Sequence, residues 1–220
     1  MIKNEILVGK PGNFPGTVRK QILYLRYEKE HQHKKGGKNM AIAVFFANGY
    51  EEIEALTVVD LTRRAGIETW MVSVTEEKKV TGSHGIEVTM DKVLKEVDFE
   101  EVEMIVLPGG MPGTLNLEAC KPLMEKVKEF DEKGKYISAI CAAPTIFGHL
   151  GLLNGKKACC YPGMEQDLEK AEVVYDSTAV ANHILTSRGM GTAIDFGLRI
   201  ISVFHGNEAA EEMAKKIVYK

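Results

Sequence analysis

Cys141 ends the apolar run Lys135-Tyr-Ile-Ser-Ala-Ile140 and leads into Ala142-Ala-Pro-Thr-Ile-Phe-Gly148, which reads as the start of a helix. A cysteine at a strand-to-helix junction has the geometry of a nucleophile elbow, whose sharp turn lifts the side chain above the sheet edge. The first N–H groups of a helix have no intrahelical partner. Aimed at the sulfur, they and the helix dipole favour the thiolate, the reactive form of cysteine. Pro144 is compatible, because proline is tolerated in a helix only in the first turn. The competing reading is a core cysteine packed as a small hydrophobe.

Two other segments carry chemistry. Glu51, Glu52 and Glu54 follow the first apolar strand. Acidic residues in a helix's first turn are commonly dipole partners, and Glu51 and Glu52 read that way. Glu54 lies one turn on, between Ile53 and Ala55. A carboxyl there, facing the sheet edge near a cysteine, can shuttle protons, and burial would raise its pKa. Pro108-Gly109-Gly110 lacks the Lys-Ser/Thr of a phosphate loop and the third glycine of a dinucleotide fingerprint. Glycine N–H groups beside a nucleophile suit oxyanion stabilisation; a plain tight turn is the other reading.

The elements that must position these residues follow from periodicity. Met40–Phe46, Thr69–Val74, Met104–Leu107, Tyr136–Ile140 and Lys157–Tyr161 read as strands, with short later strands at Val173–Tyr175 and Ile184–Thr186. Thr81–Gly85 punctuates a strand or hairpin region running to Thr89. Helices are predicted over Glu51–Ala65, capped by Gly66, and over Pro122–Lys133, Thr192–Phe204 and Glu208–Val218. In the first of these, Ile53, Leu56, Val59 and Leu61 are expected near one apolar face. Strands alternating with helices imply βαβ units and a parallel sheet covered on both faces. Such sheets bind ligands beyond the carboxyl ends of their strands. Asn48–Glu54, Pro108–Gly113, Cys141 and Ser187–Gly191 all fall at strand ends, so the topology is expected to bring them to one edge.

The 220 residues, 45% hydrophobic and 27% charged, suit one ordinary domain. No run approaches ~18 consecutive apolar residues, so no membrane span is expected. Cys120, Cys141, Cys159 and Cys160 show no metal-ligand spacing. Adjacent Cys159 and Cys160 read as packing residues. Residues 1–39 carry nine Lys/Arg against three Asp/Glu, a net of +6; residues 40–220 carry nineteen against twenty-eight, a net of −9. The basic stretch has no nucleic-acid-binding motif, and nucleic acid is not an expected partner.

Five motifs in order carry a family resemblance: Gly49-x-Glu51-Glu52-x-Glu54; Val59-Asp60-x-x-x-Arg64-Ala65-Gly66-Ile67; Leu107-Pro-Gly-Gly110; Ala139-Ile-Cys-Ala-x-Pro144; and Leu185-Thr-Ser-Arg-Gly-x-Gly-Thr192. They resemble the ThiJ/PfpI superfamily, in the branch named for the human parkinsonism-linked protein DJ-one and its bacterial relatives. The resemblance spans nearly all of residues 40–220. It implies a flavodoxin-like three-layer α/β sandwich, class I glutamine amidotransferase-like, with a mostly parallel sheet. It also implies a homodimer. Cys141 matches the nucleophile and Glu54 its partner carboxyl. Gly109, Gly110 and Ala142 match the oxyanion or substrate-binding loop, with N–H donors at Gly110 and Ala142. Asp60, Arg64, Tyr161 and Arg188 match positions of the pocket or dimer interface. Many members have a histidine before the proline that here follows Tyr161, so a Cys–His–Glu triad is replaced by a Cys–Glu dyad. A second arginine of the hairpin region is replaced by His84. Ala142 departs from the peptidase branch, which has histidine there. Neither His183 nor His205 opens the His-x-Glu of an amidotransferase.

The resemblance implies cysteine-dependent, cofactor-free chemistry on small reactive 2-oxoaldehydes or glycated groups; the cysteine spacing predicts no metal site, and with no export signal a reducing cytoplasm is the expected compartment. Glutathione-independent glyoxalase and deglycase activities are the enzyme readings; an oxidation-sensing stress chaperone is the non-enzymatic one. The resemblance begins at Met40, so residues 1–39 are expected to be either a translated leader or a genuine basic tail. Residues 40–220 form the single expected domain and should fold and dimerise without what precedes them.

Overall fold

A computed structural model describes residues 40–219, so the expectations for residues 1–39 lie outside the described residues. The first strand, β1 (Ala41–Phe46), is buried along its whole length, as its unbroken apolar run requires. A turn at Asn48-Gly49 leads into α1 (Glu52–Arg64). Glu51 caps this helix: its carboxylate accepts the Glu54 N–H at 2.7 Å. Ala65 closes the helix, and Gly66 at φ +76° turns the chain away. Then come β2 (Thr69–Ser73), the antiparallel hairpin β3 (Lys79–Thr81) and β4 (Glu87–Thr89), the short β5 (Lys92–Val93) and β6 (Val102–Leu107). Two helices, α2 (Gly113–Ala119) and α3 (Lys121–Glu132), precede β7 (Tyr136–Ile140). After α4 (Pro144–His149) lie β8 (Lys157–Ala158) and β9 (Glu172–Val173), paired with each other, and then the hairpin of β10 (Thr178–Ala181) and β11 (Ile184–Ser187). The closing helices are α5 (Ala193–His205) and α6 (Asn207–Lys216).

The central sheet has seven strands in the order β10-β11-β7-β6-β1-β2-β5. Every pairing is parallel except β10 with β11. The strand period of two divides the core cleanly. Ala43 and Phe45 face one layer, with Leu117, Val127, Phe130 and Phe147 from α2, α3 and α4. Ile42, Val44 and Phe46 face the other, with Val58 and Leu61 from α1 and Phe196 and Ile200 from α5. A Cβ at Gly197 would lie 2.6 Å from Leu61 Cδ1, so glycine is what lets α5 and α1 pack this closely. The chain thus folds as the expected three-layer, flavodoxin-like α/β sandwich.

Several expectations are corrected. Ile53 is half exposed and Leu56 only partly buried, whereas Glu52 and Glu54 are buried. The first turn of α1 meets loops at the sheet edge rather than the apolar face of the sheet, so its acidic side turns inward. The strand expected at Lys157–Tyr161 stops at Ala158, because the Cys159 N–H donates to the Thr186 hydroxyl instead of a ladder. β10 and α2 were not expected at all. Among the described residues no helix is long and apolar enough to cross a membrane.

Candidate active site

The carboxyl ends of β1, β6, β7 and β11 lie side by side, and their loops are stitched together by backbone hydrogen bonds. The Glu51 N–H donates to Gly109 O at 2.9 Å, and the Gly113 N–H to Gly49 O at 3.0 Å. The Cys141 N–H donates to Ser187 O at 3.0 Å, and the Tyr161 N–H to Cys141 O at 2.7 Å. The four strand-end segments singled out in the sequence therefore converge.

Cys141 is the elbow. It follows β7 directly and sits at φ +66°, a left-handed conformation that non-glycine residues rarely adopt. Such strain persists only where the surrounding structure imposes it. Pro144 is the first residue of α4. That helix has only six residues and starts three residues beyond the cysteine. The donors acting on the sulfur are the N–H of Ala142, in the turn, and that of Gly110, from the loop after β6.

Glu54 comes from the opposite wall. It is 1% exposed, and its Oε2 accepts the Gly109 N–H at 3.0 Å. Oε1 makes no well-directed hydrogen bond within the protein; the Cys141 thiol and the Met190 N–H act on the carboxyl more loosely. A proton carried by Glu54 therefore belongs on Oε1. Glycine is required between the two side chains. A Cβ at Gly109 would lie 2.6 Å from Cys141 Cβ, 2.7 Å from Glu54 Oε2 and 2.9 Å from Ile140 O. Gly109→Ala is expected to cost ~1–3 kcal/mol through overpacking and to separate Glu54 from Cys141. A thermal melt within a degree or two of wild type would contradict this.

Electrostatics couple the pair. Burial pushes the Glu54 carboxyl up to about 7; its contacts with Cys141, Gly109 and Met190 oppose the shift, and Glu51 adds to it. Burial also pushes the Cys141 thiol up, and an ionised Glu54 pushes it further by charge and by accepting its hydrogen bond; the Ala142 and Gly110 N–H groups oppose this. The short helix therefore does not depress the thiol's pKa by itself, contrary to the sequence expectation. The controlling variable is Glu54. Once protonated it carries no charge and donates to the sulfur, so two of the three causes that raise the thiol pKa disappear or reverse. The dyad titrates as a unit and can hold its proton on either member.

The other thiols lack such a partner. Cys159 and Cys160 are buried, and burial raises both, Cys160 to about 12. Cys120 is partly exposed but lies beside neither Glu54 nor the elbow. Cys141 alone has a carboxylic acid partner for its thiolate, so limiting iodoacetamide near about pH 6 should label it at least ~10-fold faster than Cys120. Earlier labelling of Cys120 would count against a thiolate–carboxylic acid pair.

The remaining expected residues divide. The Tyr161 ring reaches the site: a Cβ built on Gly189 would lie 3.5 Å from Tyr161 Cδ2, 3.8 Å from Glu54 Oε1 and 3.9 Å from Cys141 Sγ. Arg188 turns aside, its guanidinium 5.9 Å over the Tyr175 ring and donating to Tyr175 O at 3.3 Å. Asp60 and Arg64 bond each other at 2.6 Å on the exposed side of α1. Glu52 proves more than a dipole partner. It accepts the His84 N–H at 2.8 Å, lies 2.9 Å from His84 Nδ1 and accepts from the Ser83 hydroxyl at 3.2 Å, clipping the β3–β4 hairpin to α1. Ligand atoms of Glu51, Glu52 and His84 lie within 4.8 Å of one another, but the Glu52 oxygens are already engaged by the hairpin. Gly189 and Met190 were missed individually, although the segment holding them was singled out by its position after a strand.

A family model described as DJ-1/PfpI matches residues 40–203. The chain belongs to the DJ-1/PfpI family. It is 38% identical to protein DJ-1 homolog B of Arabidopsis thaliana over 79% of this chain and 40% of that protein. It thus spans less than half the length of that relative and of the plant homolog A. It is 29% identical to the glutathione-independent glyoxalase DJR-1.2 of Caenorhabditis elegans over 76% of this chain and 89% of that one. Among solved structures, oxidized Toxoplasma gondii DJ-1 superposes with a TM-score of 0.79 at 35% identity, over 82% of this chain and 98% of that one. Within this family the Cys141–Glu54 pair and its glycine loop are the candidate active site.

Proposed function

We propose that the protein converts small 2-oxoaldehydes such as methylglyoxal to 2-hydroxy acids without glutathione. The observation that carries this reading is Glu54 Oε1: a buried carboxyl oxygen with no well-directed partner, on the same side of Gly189 as Cys141 Sγ. The similarity to the nematode glyoxalase supports it.

Each residue has a step in this reading. The Cys141 thiolate adds to the aldehyde carbon, forming a C–S bond as the carbonyl oxygen takes up a proton from Glu54. The product is a hemithioacetal. Glu54, now a carboxylate, removes the hydrogen on that carbon, giving an enediol whose developing charge rests on the Gly110 and Ala142 N–H groups. Returning the proton to the neighbouring carbon yields a 2-hydroxy thioester. Water adds to the thioester carbon, the C–S bond breaks with sulfur leaving as thiolate, and Glu54 takes up the water's proton, so the starting pair is restored and the sum is oxoaldehyde plus water giving hydroxy acid. A group near pKa 7 suits this, because it must act as acid and base in turn. Deglycation of hemithioacetals or aminocarbinols on proteins would need the protein thiol or amine to leave first, freeing the aldehyde for the same sequence of steps.

Lactate formed from methylglyoxal by the purified protein, with no thiol added, is the test. No lactate above the level of Cys141→Ala would overturn the reading. An oxidation-sensing chaperone is the second reading, favoured by the similarity to a DJ-1 structure solved in an oxidized form. It predicts client protection that depends on Cys141 oxidation rather than on turnover. A homodimer in the cytoplasm is part of the same proposal, with the exposed side of α1 as a candidate interface; sedimentation at micromolar concentration tests it.

A further inference from the structure

The segment after β11 serves both members of the dyad. The Ser187 carbonyl accepts the Cys141 N–H at 3.0 Å. Further along, the backbone of Gly189 passes beside the pair: a Cβ added there would lie 3.8 Å from Glu54 Oε1 and 3.9 Å from Cys141 Sγ. The next N–H, that of Met190, acts on the Glu54 carboxyl. Yet β11 ends at Ser187 and α5 begins only at Ala193, so no ladder fixes Gly189 and Met190.

A hydroxyl fixes them instead. Thr192 stands just before α5, where a threonine side chain ordinarily accepts an N–H from the first turn of the helix. It makes no such bond. Its Oγ1 reaches back to accept the Gly189 N–H at 3.1 Å, and it is within donating distance of Gly189 O, at 2.9 Å, and of the buried Ser187 Oγ, at 2.7 Å. The Ser187 hydroxyl donates to Ser177 O at 2.7 Å. A hydroxyl has a single proton to give. With that of Ser187 on Ser177 O, the proton between the two hydroxyls is the one from Thr192, and Gly189 O is served by the Thr192 N–H at 2.8 Å. One directed chain results, from the Gly189 N–H through Thr192 and Ser187 to Ser177 O, with every member satisfied. Bonds in such a chain polarise and strengthen one another. Ser187 thus holds the nucleophile by its carbonyl and the loop beside the acid by its side chain.

We propose that Thr192 is a positioning residue for the Cys141–Glu54 pair: through Ser187, its hydroxyl locks the Gly189–Met190 backbone against Glu54 and in register with the elbow at Cys141. The proposal rests on the 2-oxoaldehyde reading for its effect on turnover, but not for its effect on the state of the dyad. The Glu54 carboxyl is faced by the charge of Glu51, the Cys141 sulfur and the N–H groups of Gly109 and Met190. Of these, the Met190 N–H is the one that Thr192 places. That donor favours the carboxylate, so a Glu54 that loses it keeps its proton to higher pH.

Thr192→Val removes the hydroxyl and nearly keeps the shape. Its kcat for methylglyoxal should fall by ~10–10²-fold, as for a reacting group slightly misplaced, with KM changing much less. A second readout needs no turnover: the rate of Cys141 alkylation by iodoacetamide, followed from about pH 5 to about pH 9. Its midpoint should move up by about half a pH unit or more, the worth of one modest hydrogen bond. Thr192→Ser keeps the hydroxyl and should match wild type in both measurements. Ser187→Ala cuts the chain at its next link, leaves the exposed Ser177 O to solvent, and should move both measurements the same way as Thr192→Val. It therefore decides the matter should Thr192→Val fail to fold. An alkylation profile in the folded hydroxyl-free variants that superposes on wild type overturns the proposal, however much thermal stability they lose. A shift that Thr192→Ser shows in full overturns it too. Absence of lactate from the wild type would sink the glyoxalase reading alone, because the alkylation profiles would still decide the role of Thr192.

Discussion

Glu54→Gln is expected to lower methylglyoxal turnover by ~10²–10⁴-fold, the usual contribution of a positioned acid–base group, while making the fold more stable above neutral pH. Glutamine keeps an acceptor for the Gly109 N–H and a donor towards Cys141, but it cannot exchange a proton. The stability gain follows from linkage. The carboxyl titrates near 4.5 when unfolded and at about 7 in the folded chain. Between those values the folded state holds more protons than the unfolded one, so stability falls as pH rises through the window. The loss is complete above the folded value and is on the order of 3 kcal/mol. Urea unfolding at about pH 5 and pH 8 should show this decline in the wild type and its near absence in Glu54→Gln. Equal slopes in both proteins would mean that Glu54 ionises normally in the fold. Turnover within a few-fold of wild type would remove Glu54 from the chemistry.

Cys141→Ala and Cys141→Gly should both abolish turnover, leaving at most the solution rate. Their stabilities should then invert the usual order. In strands and helices alanine is better than glycine by ~0.5–1 kcal/mol, because glycine loses more freedom on folding. At φ +66° the Cβ itself is the burden, costing roughly 1–2 kcal/mol in a left-handed conformation. Cys141→Gly should therefore be the more stable of the two by a few tenths to about 1 kcal/mol. Measured midpoints with alanine ahead would show that the elbow relaxes once the sulfur is gone.

What could be read in the sequence, and what could not, separates along the range of the interactions. β1 was legible because all six residues are apolar and both faces of the strand are covered. The Cys141 elbow was legible because a strand, a cysteine and a first-turn proline are adjacent in the chain. The inward turn of Glu54 was inferred from its place in the motif, whereas periodicity pointed Ile53 inward and failed. The partner that holds Glu54 is the Gly109 N–H, 55 residues away, and no local pattern carries that. α2 begins at a glycine preceded by Pro112, so local composition argued for a loop; it is a helix because Leu117 is buried in the core. The thiol's electrostatics were misjudged for a similar reason. A helix start is visible in sequence, but the burial that outweighs it belongs to the finished fold.

The sheet order has a consequence in time. β6 lies between β1 and β7, so the acid, in the first turn of the helix after β1, and the nucleophile, directly after β7, lie two strands apart, and the strand between them supplies the glycine loop that touches both. A growing chain emerges amino end first. Glu54 leaves the ribosome early and, until β6 takes its place, has no Gly109 to meet and every reason to stay an ordinary ionised surface carboxylate. Cys141 follows much later, as an ordinary thiol. Neither is unusual until the last parallel strands dock, and the same holds in reverse as a damaged molecule begins to open. The reactive pair is thus a property of the completed molecule alone, and an unfinished or unravelling chain carries no activated sulfur with which to react indiscriminately.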